Sequence, residues 1–233
     1  MSLRNQIILH LLILAAIFAL FEFTDIDVRL QDKLYAGKPD TWIVDRGWTI
    51  PYVLCYSGIK SAIIAGGIAC GALFLASLAV RRLAPYRRQL LMMTLSIIVV
   101  PGVLVGLREV TNVYGPYQLE RYGKDRPYVK VFDSCPPEAR KMSRGKCFPA
   151  GHATGGFALM MLYFVFRRRV WKWTGLAVGL TAGWTMGGYQ ILTGKHFLSH
   201  TLVTMSASWI LILVVCYVLS RVWPETTTPE PRA

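Results

Sequence analysis

The apolar residues of this chain are gathered into six blocks with polar or basic segments between them, and that pattern leaves few folds open. A soluble domain lays its apolar residues in stripes along amphipathic elements. Near-continuous blocks instead suit a bilayer core, where each helix satisfies its own backbone hydrogen bonds. The blocks are Ile7–Phe23, Ser61–Val80, Leu90–Leu107, Ala153–Phe166, Thr174–Leu192 and Leu202–Trp223. With 54% hydrophobic and 17% charged residues and a mean hydropathy of +0.41, the composition lies outside the usual range of soluble domains. The expected fold is all-α: a polytopic membrane protein of six transmembrane helices over residues 1–223, with a disordered tail at 224–233. No small-residue cleavage site follows the first block, which therefore reads as a retained helix.

The short connections set the orientation. Arg81, Arg82, Arg87 and Arg88 fall in one turn, and Arg167, Arg168, Arg169 and Lys172 in another, both on the side of the two termini. The positive-inside rule makes that side cytoplasmic. The segments Thr24–Lys60, Arg108–Phe148 and Thr193–Ser199 then face outward, which in a bacterial inner (cytoplasmic) membrane is the periplasm. Aromatic residues Tyr35, Trp42, Trp48, Tyr52 and Tyr56 read the first of these as an interfacial loop or re-entrant segment. Gly66, Gly67 and Gly71 permit close packing of the second span. The net charge of +13 does not point to nucleic acid, since much of it anchors topology. The long outward loop is nonetheless basic, with Arg121, Lys124, Arg126, Lys130, Arg140, Lys141, Arg144 and Lys146. Topology does not require cations there, so an anionic partner at the bilayer surface is expected. Cys135 and Cys147 share this loop and are a disulfide candidate if the compartment is oxidising.

The chemistry concentrates where that loop meets the fourth block, at Pro149-Ala-Gly151-His152. Pro149 fixes φ, Gly151 allows close backbone approach, and His152 falls in the first turn of a helix. Of four histidines, His10 lies in the first span near its cytoplasmic end, whereas His152, His196 and His200 all map to the outward ends of spans four to six. No Asp, Glu or Cys adjoins His196 and His200 in sequence and the surrounding charge is cationic, so no metal or other cofactor is expected. Phosphoryl transfer fits this set better. One neutral imidazole can attack phosphorus, a second can protonate the leaving oxygen, and arginines suit the phosphate oxygens.

The order Arg126-Pro127, then Pro-Ala-Gly-His152, then Gly-x-His196-Phe-Leu-Ser resembles the type 2 phosphatidic acid phosphatase superfamily. That family carries Lys-x6-Arg-Pro, Pro-Ser-Gly-His and Ser-Arg-x5-His-x3-Asp motifs on a six-helix membrane core. The resemblance implies a periplasm-facing lipid phosphate or diphosphate phosphatase, with His196 forming a phosphohistidine and His152 as the acid. Lipid A, undecaprenyl diphosphate and phosphatidylglycerol phosphate are the implied substrates. Leu119 occupies the first-motif lysine position, which Arg121, Lys124 or Arg108 would replace. Tyr189-Gln190 replaces Ser-Arg, leaving Lys195 to restore a charge, and His200 stands where the Asp is expected. A lipid phosphotransferase using the same histidine and a catalytically degenerate lipid-binding protein are the alternatives.

Overall fold

The computed structural model of the chain describes residues 2–133, 136–137 and 142–223. Among them are seven helices and no β-strand. The first, α1 (Leu3–Glu22), is N-capped by Ser2, whose Oγ accepts from the Asn5 N–H at 3.2 Å. A short polar helix, α2 (Ile26–Leu34), follows. Four long or apolar segments come next, namely α3 (Thr49–Ala79), α4 (Arg87–Val110), α5 (Gly151–Val165) and α6 (Arg169–Leu192). The last is α7 (Leu198–Val222).

Four of these helices are long and apolar enough to cross a membrane: α1, α3, α4 with its preceding turn, and α7. Side chains such as Leu12, Leu54, Ile68 and Ile98 point away from the protein, as lipid contact requires. The other two expected spans differ for a physical reason. The α5 segment alternates short α and 3₁₀ turns, and α6 is diluted by glycine. Gly175, Gly179, Gly183 and Gly187 recur every fourth residue on one buried face of α6. A Cβ on Gly179 would stand 2.4 Å from the Met160 N atom, and one on Gly156 2.5 Å from the Gly183 N atom. The two backbones therefore touch, a close approach that small residues allow between membrane helices. Around α5 the core closes with Val100 and Leu104 of α4 and Ile212 and Cys216 of α7.

The segment after α1 is not one loop. Pro51 sits in the first turn of α3, where its missing N–H costs nothing, so the helix begins at Thr49 rather than Ser61. Tyr35 and Trp42 pack with Tyr114, Leu119, Tyr122 and Phe197 in a separate aromatic cluster. Gly67 and Gly71 of α3 meet Ile97 and Thr94 of α4, whereas Gly66 meets nothing within 4 Å. His10 is structural, its Nδ1 lying 2.8 Å from the Gln6 carbonyl oxygen.

Much of the long loop's charge ties that loop down. Lys130 Nζ donates to the carbonyls of Glu22 and Thr24, Arg144 caps the Val110 carbonyl at the end of α4, and Lys146 pairs with Glu109. Arg140 and Lys141 lie outside the described residues, as does Cys135, and with it one half of the proposed disulfide. Cys147 is a free, buried thiol that donates to Gln118 Oε1 at 3.3 Å. The tail at 224–233 also lies outside the described residues.

Candidate active site

The start of α3, the end of α4, the start of α5 and the connection between α6 and α7 meet at one end of the bundle. Through the alternation of helix direction, this is the end opposite the basic turns. Ala150 is fully buried there, and its N–H donates to the His200 carbonyl at 3.3 Å. Thr154 Oγ1 donates to the Gly151 carbonyl at 2.8 Å, closing the entry to α5. The absence of a side chain at Gly151 matters, because a Cβ would press against Val105 Cγ2 at 3.3 Å and Arg108 Nη1 at 3.4 Å. Gly151 thus lets the Arg108 guanidinium lie against the backbone beside His152.

His196 rides on a tight connection. Gly194 adopts φ +69°, and the N–H groups of Lys195 and His196 both donate to the Gln190 carbonyl, at 2.8 and 3.2 Å. Trp42 lies so close to Gly194 that a Cβ there would meet its ring at 2.1 Å, and Arg46 Nε donates to the Thr193 carbonyl at 2.9 Å. These contacts hold the loop from outside. Within it, His196 is only 3% exposed. Its Nδ1 lies 3.4 Å from Nδ1 of His200, and its Nε2 is buried with no hydrogen-bond partner. Burial pushes the His196 pKa well below the usual imidazole value, with the neighbouring histidines adding to the shift. The ring is held neutral, with a lone pair to offer.

The His152 ring centroid lies 5.3 Å from that of His196. His152 Nδ1 is 2.7 Å from Tyr56 Oη, which leaves Nε2 as the nitrogen open to a ligand. His152 also borders a cavity of about 450 Å³. Tyr56, Lys60, Arg108 and Gly151 line it with His152 near the helix ends, while Ile63, Ile64, Ile97, Pro101 and Met186 line it deeper in the bundle. His196 does not border that cavity and lies against His152, which does. His200 is buried in the first turn of α7 between the rings of Phe148 and Phe197, at 5.2 and 5.5 Å. Three imidazoles with ring centroids 5.3 and 5.6 Å apart, and Arg108 on the cavity that His152 borders, make an arrangement that can take a phosphoryl group and hand a proton to its leaving oxygen.

A family model described as PAP2 superfamily matches residues 88–224, from the first turn of α4 to the end of α7. The chain belongs to the PAP2 superfamily. No curated protein and no solved structure matches it. Membership supports phosphoester hydrolysis on lipid-type substrates, and the apolar helices place that chemistry in a membrane protein.

Against PAP2 expectations, the structure brings some of the sequence-selected residues together and separates others. His152, His196, His200, Gly151 and Arg108 converge, and Lys195 adjoins them with its Nζ 4.7 Å from the Tyr117 ring centroid. Leu119, at the lysine position, is fully buried in the aromatic cluster. Arg121 makes a two-pronged pair with Asp32 at 2.8 and 2.7 Å, and Lys124 pairs with Asp40 at 3.3 Å. Asp32 of α2 and Asp40 of the turn after it hold these two charges. Arg126 lines a second opening of about 400 Å³ with Arg46, Tyr117 and Lys124. Its Nη2 donates to Ser143 Oγ at 3.2 Å, and its Nη1 is buried with no partner. Among the described residues, no group of three His, Cys, Asp or Glu side chains is placed to hold a metal ion. Sequence reasoning missed Tyr56, Lys60 and Arg46. The first two stand four residues apart on one helix face, a signal hidden because their segment reads as a loop.

Proposed function

We propose that this chain is a metal-independent lipid phosphate or diphosphate phosphatase working through a phosphohistidine on His196. The observation that carries the reading is the cavity at His152, which is cationic and polar near the helix ends and apolar along the bundle. A lipid phosphate has that same division of chemistry. Its phosphate would meet Arg108, Lys60 and the Gly151 backbone while its chain extends past Ile63 and Ile97. Lipid A, undecaprenyl diphosphate and phosphatidylglycerol phosphate all meet this description. The basic turns at the opposite end support six crossings, cytoplasmic termini and a site facing the periplasm from a bacterial inner membrane.

In the reaction, Nε2 of His196 attacks phosphorus in line with the departing oxygen. As the P–O bond breaks, the leaving oxygen takes the proton from Nε2 of His152. Arg108 replaces the first-motif lysine and neutralises charge on the equatorial oxygens, with Lys195 as a second cation and Arg126 reaching the headgroup from the adjoining opening. Nδ1 of His196 lies 3.4 Å from Nδ1 of His200, and the Cys147 backbone bonds to both rings, so that Cys147 and His200 together do the orienting work of the expected Asp. A neutral acceptor orients the ring but brings no negative charge to the imidazolium-like state. Water then attacks the phosphohistidine, giving its proton to His152 while the P–N electron pair returns to His196.

The test is phosphate release by the protein in detergent with EDTA present, across those three lipids, for wild type, His196→Ala and His152→Ala. Release that survives EDTA and falls by at least about 10²-fold in both variants is expected. Release abolished by EDTA, release retained in His196→Ala, or no release from any of the lipids would overturn the reading.

A further inference from the structure

The α3 helix contains one irregular turn, and the residue it presents is a tyrosine bonded to the proposed acid. Over Val53–Ser57 the backbone widens to a π-turn, closed by the Gly58 N–H donating to the Val53 carbonyl. A Cβ added at Gly58 would stand 2.8 Å from that carbonyl, so the glycine is what lets the wide turn close tightly. Such turns insert one residue and re-aim the side chains beside it, and they recur at functional sites. Here the turn aims Tyr56. Its ring is 8% exposed, wedged with Ile63, Met186 and Tyr189, and its hydroxyl lies 2.7 Å from His152 Nδ1. The two rings meet edge to face with centroids 5.2 Å apart.

We infer that Tyr56 is the positioning residue that makes His152 a two-way proton carrier. The inference rests on the phosphohistidine reading above. During one turnover His152 gives a proton from Nε2 as the imidazolium and later takes one back there as the neutral ring, so Nδ1 keeps its proton in both states. Tyr56 Oη accepts from Nδ1–H throughout, with its own hydroxyl proton turned away. No net proton passes through the tyrosine. A carboxylate in the same place would stabilise the imidazolium and weaken it as an acid. With no acceptor at Nδ1, the neutral ring could settle with its proton on Nε2 and leave no lone pair there to take a proton from the attacking water. The other charged groups acting on His152 are Arg108, Lys195 and Lys60, all cations, which favour release of its proton and cannot orient it.

Tyr56→Phe keeps the buried ring and removes only the hydroxyl, so packing is retained. The experiment compares first-turnover release of the leaving group from two substrates with the same alkyl tail. One is decyl phosphate, whose alkoxide must be protonated as it leaves. The other is a decyl-substituted nitrophenyl phosphate, whose phenolate leaves without an acid. Tyr56→Phe is expected to slow release from decyl phosphate by about 10- to 100-fold. Its release from the nitrophenyl substrate and its KM for either substrate should stay within about threefold of wild type. His152→Ala should show the same selectivity with a larger loss. Tyr52→Phe, a neighbouring ring 5.7 Å from Tyr56, should change neither rate. Equal slowing of both substrates by Tyr56→Phe, or of neither, while His152→Ala remains selective, would overturn the inference and leave the phosphatase reading standing. Loss of selectivity in His152→Ala itself, or no release by wild type, would overturn both.

Discussion

Replacing Arg108 with glutamine should separate the three basic residues that compete for the first-motif lysine's role. Arg108 lies along the Gly151 backbone on the border of the histidine cavity, and among the described residues its one ion pair is with Glu109 at 3.5 Å. That pair is partly exposed, with side-chain exposures of 25% and 44%, and exposed pairs of this kind contribute only about 0–1 kcal/mol. The guanidinium charge is therefore still available to a phosphate. Two unit charges about 4 Å apart attract by roughly 4 kcal/mol at an effective dielectric of 20. Losing one preorganised donor to a transferring group typically lowers turnover by about 10²–10³-fold. Arg108→Gln is accordingly expected to lower kcat/KM for lipid phosphate hydrolysis by about 10²–10³-fold. Arg121→Gln and Lys124→Gln should stay within about threefold of wild type, because Asp32 and Asp40 already hold those charges and exposed pairs contribute little. The assay is initial-rate phosphate release in mixed micelles, with folding checked by gel filtration of each variant. Full activity in Arg108→Gln, alongside a large loss in Arg121→Gln or Lys124→Gln, would refute the assignment.

Three other outcomes follow from particular contacts. Gly179→Ala should lower thermal stability in detergent by about 1–3 kcal/mol, since its Cβ would meet the Met160 N atom at 2.4 Å and backbone cannot move aside as a side-chain tip does; an unchanged melting temperature would contradict the close contact of α5 and α6. Asp27 of α2 accepts from the Ser199 N–H at 2.9 Å, and burial pushes its carboxyl up from 3.8 to about 6, despite the opposing hydrogen bonds from Ser199. Because the folded state resists ionising this group, wild type loses stability as pH rises from about 4 to about 6. Asp27→Asn lacks that loss, so its melting temperature relative to wild type should increase across the window; a flat difference would count against burial as the cause. Alkylation of the denatured protein without reductant should label Cys147, whose thiol is bonded to Gln118, whereas a Cys147 that labels only after reduction would restore the disulfide expected from sequence.

The bundle was legible because a bilayer-spanning helix needs a long apolar run, and the parity of such runs alone places His152, His196 and His200 at one end. What stayed hidden depends on through-space partners. Nothing in the spacing distinguishes Arg108 from Arg121 or Lys124; the distinction comes from Asp32 and Asp40, which approach from a segment some 80 to 90 residues away in sequence. Tyr56 falls in Thr24–Lys60, which reads from sequence as an interfacial segment, whereas the helix already begins at Thr49, with Pro51 in the first turn where a helix tolerates proline. The glycines of α6 lower its apparent hydrophobicity while serving its contact with α5, so composition alone understates how deeply that helix is built into the bundle.

The central claim is that His196 carries the phosphoryl group between the two half-reactions. Its most direct measurement is rapid alkaline quenching of the protein with a ³²P-labelled lipid phosphate in EDTA, followed by mapping of acid-labile, alkali-stable label to a peptide. Label on the peptide containing His196 in wild type, and none in His196→Ala, is the predicted result. Phosphate release without any labelled histidine, or label that survives His196→Ala, would contradict the account.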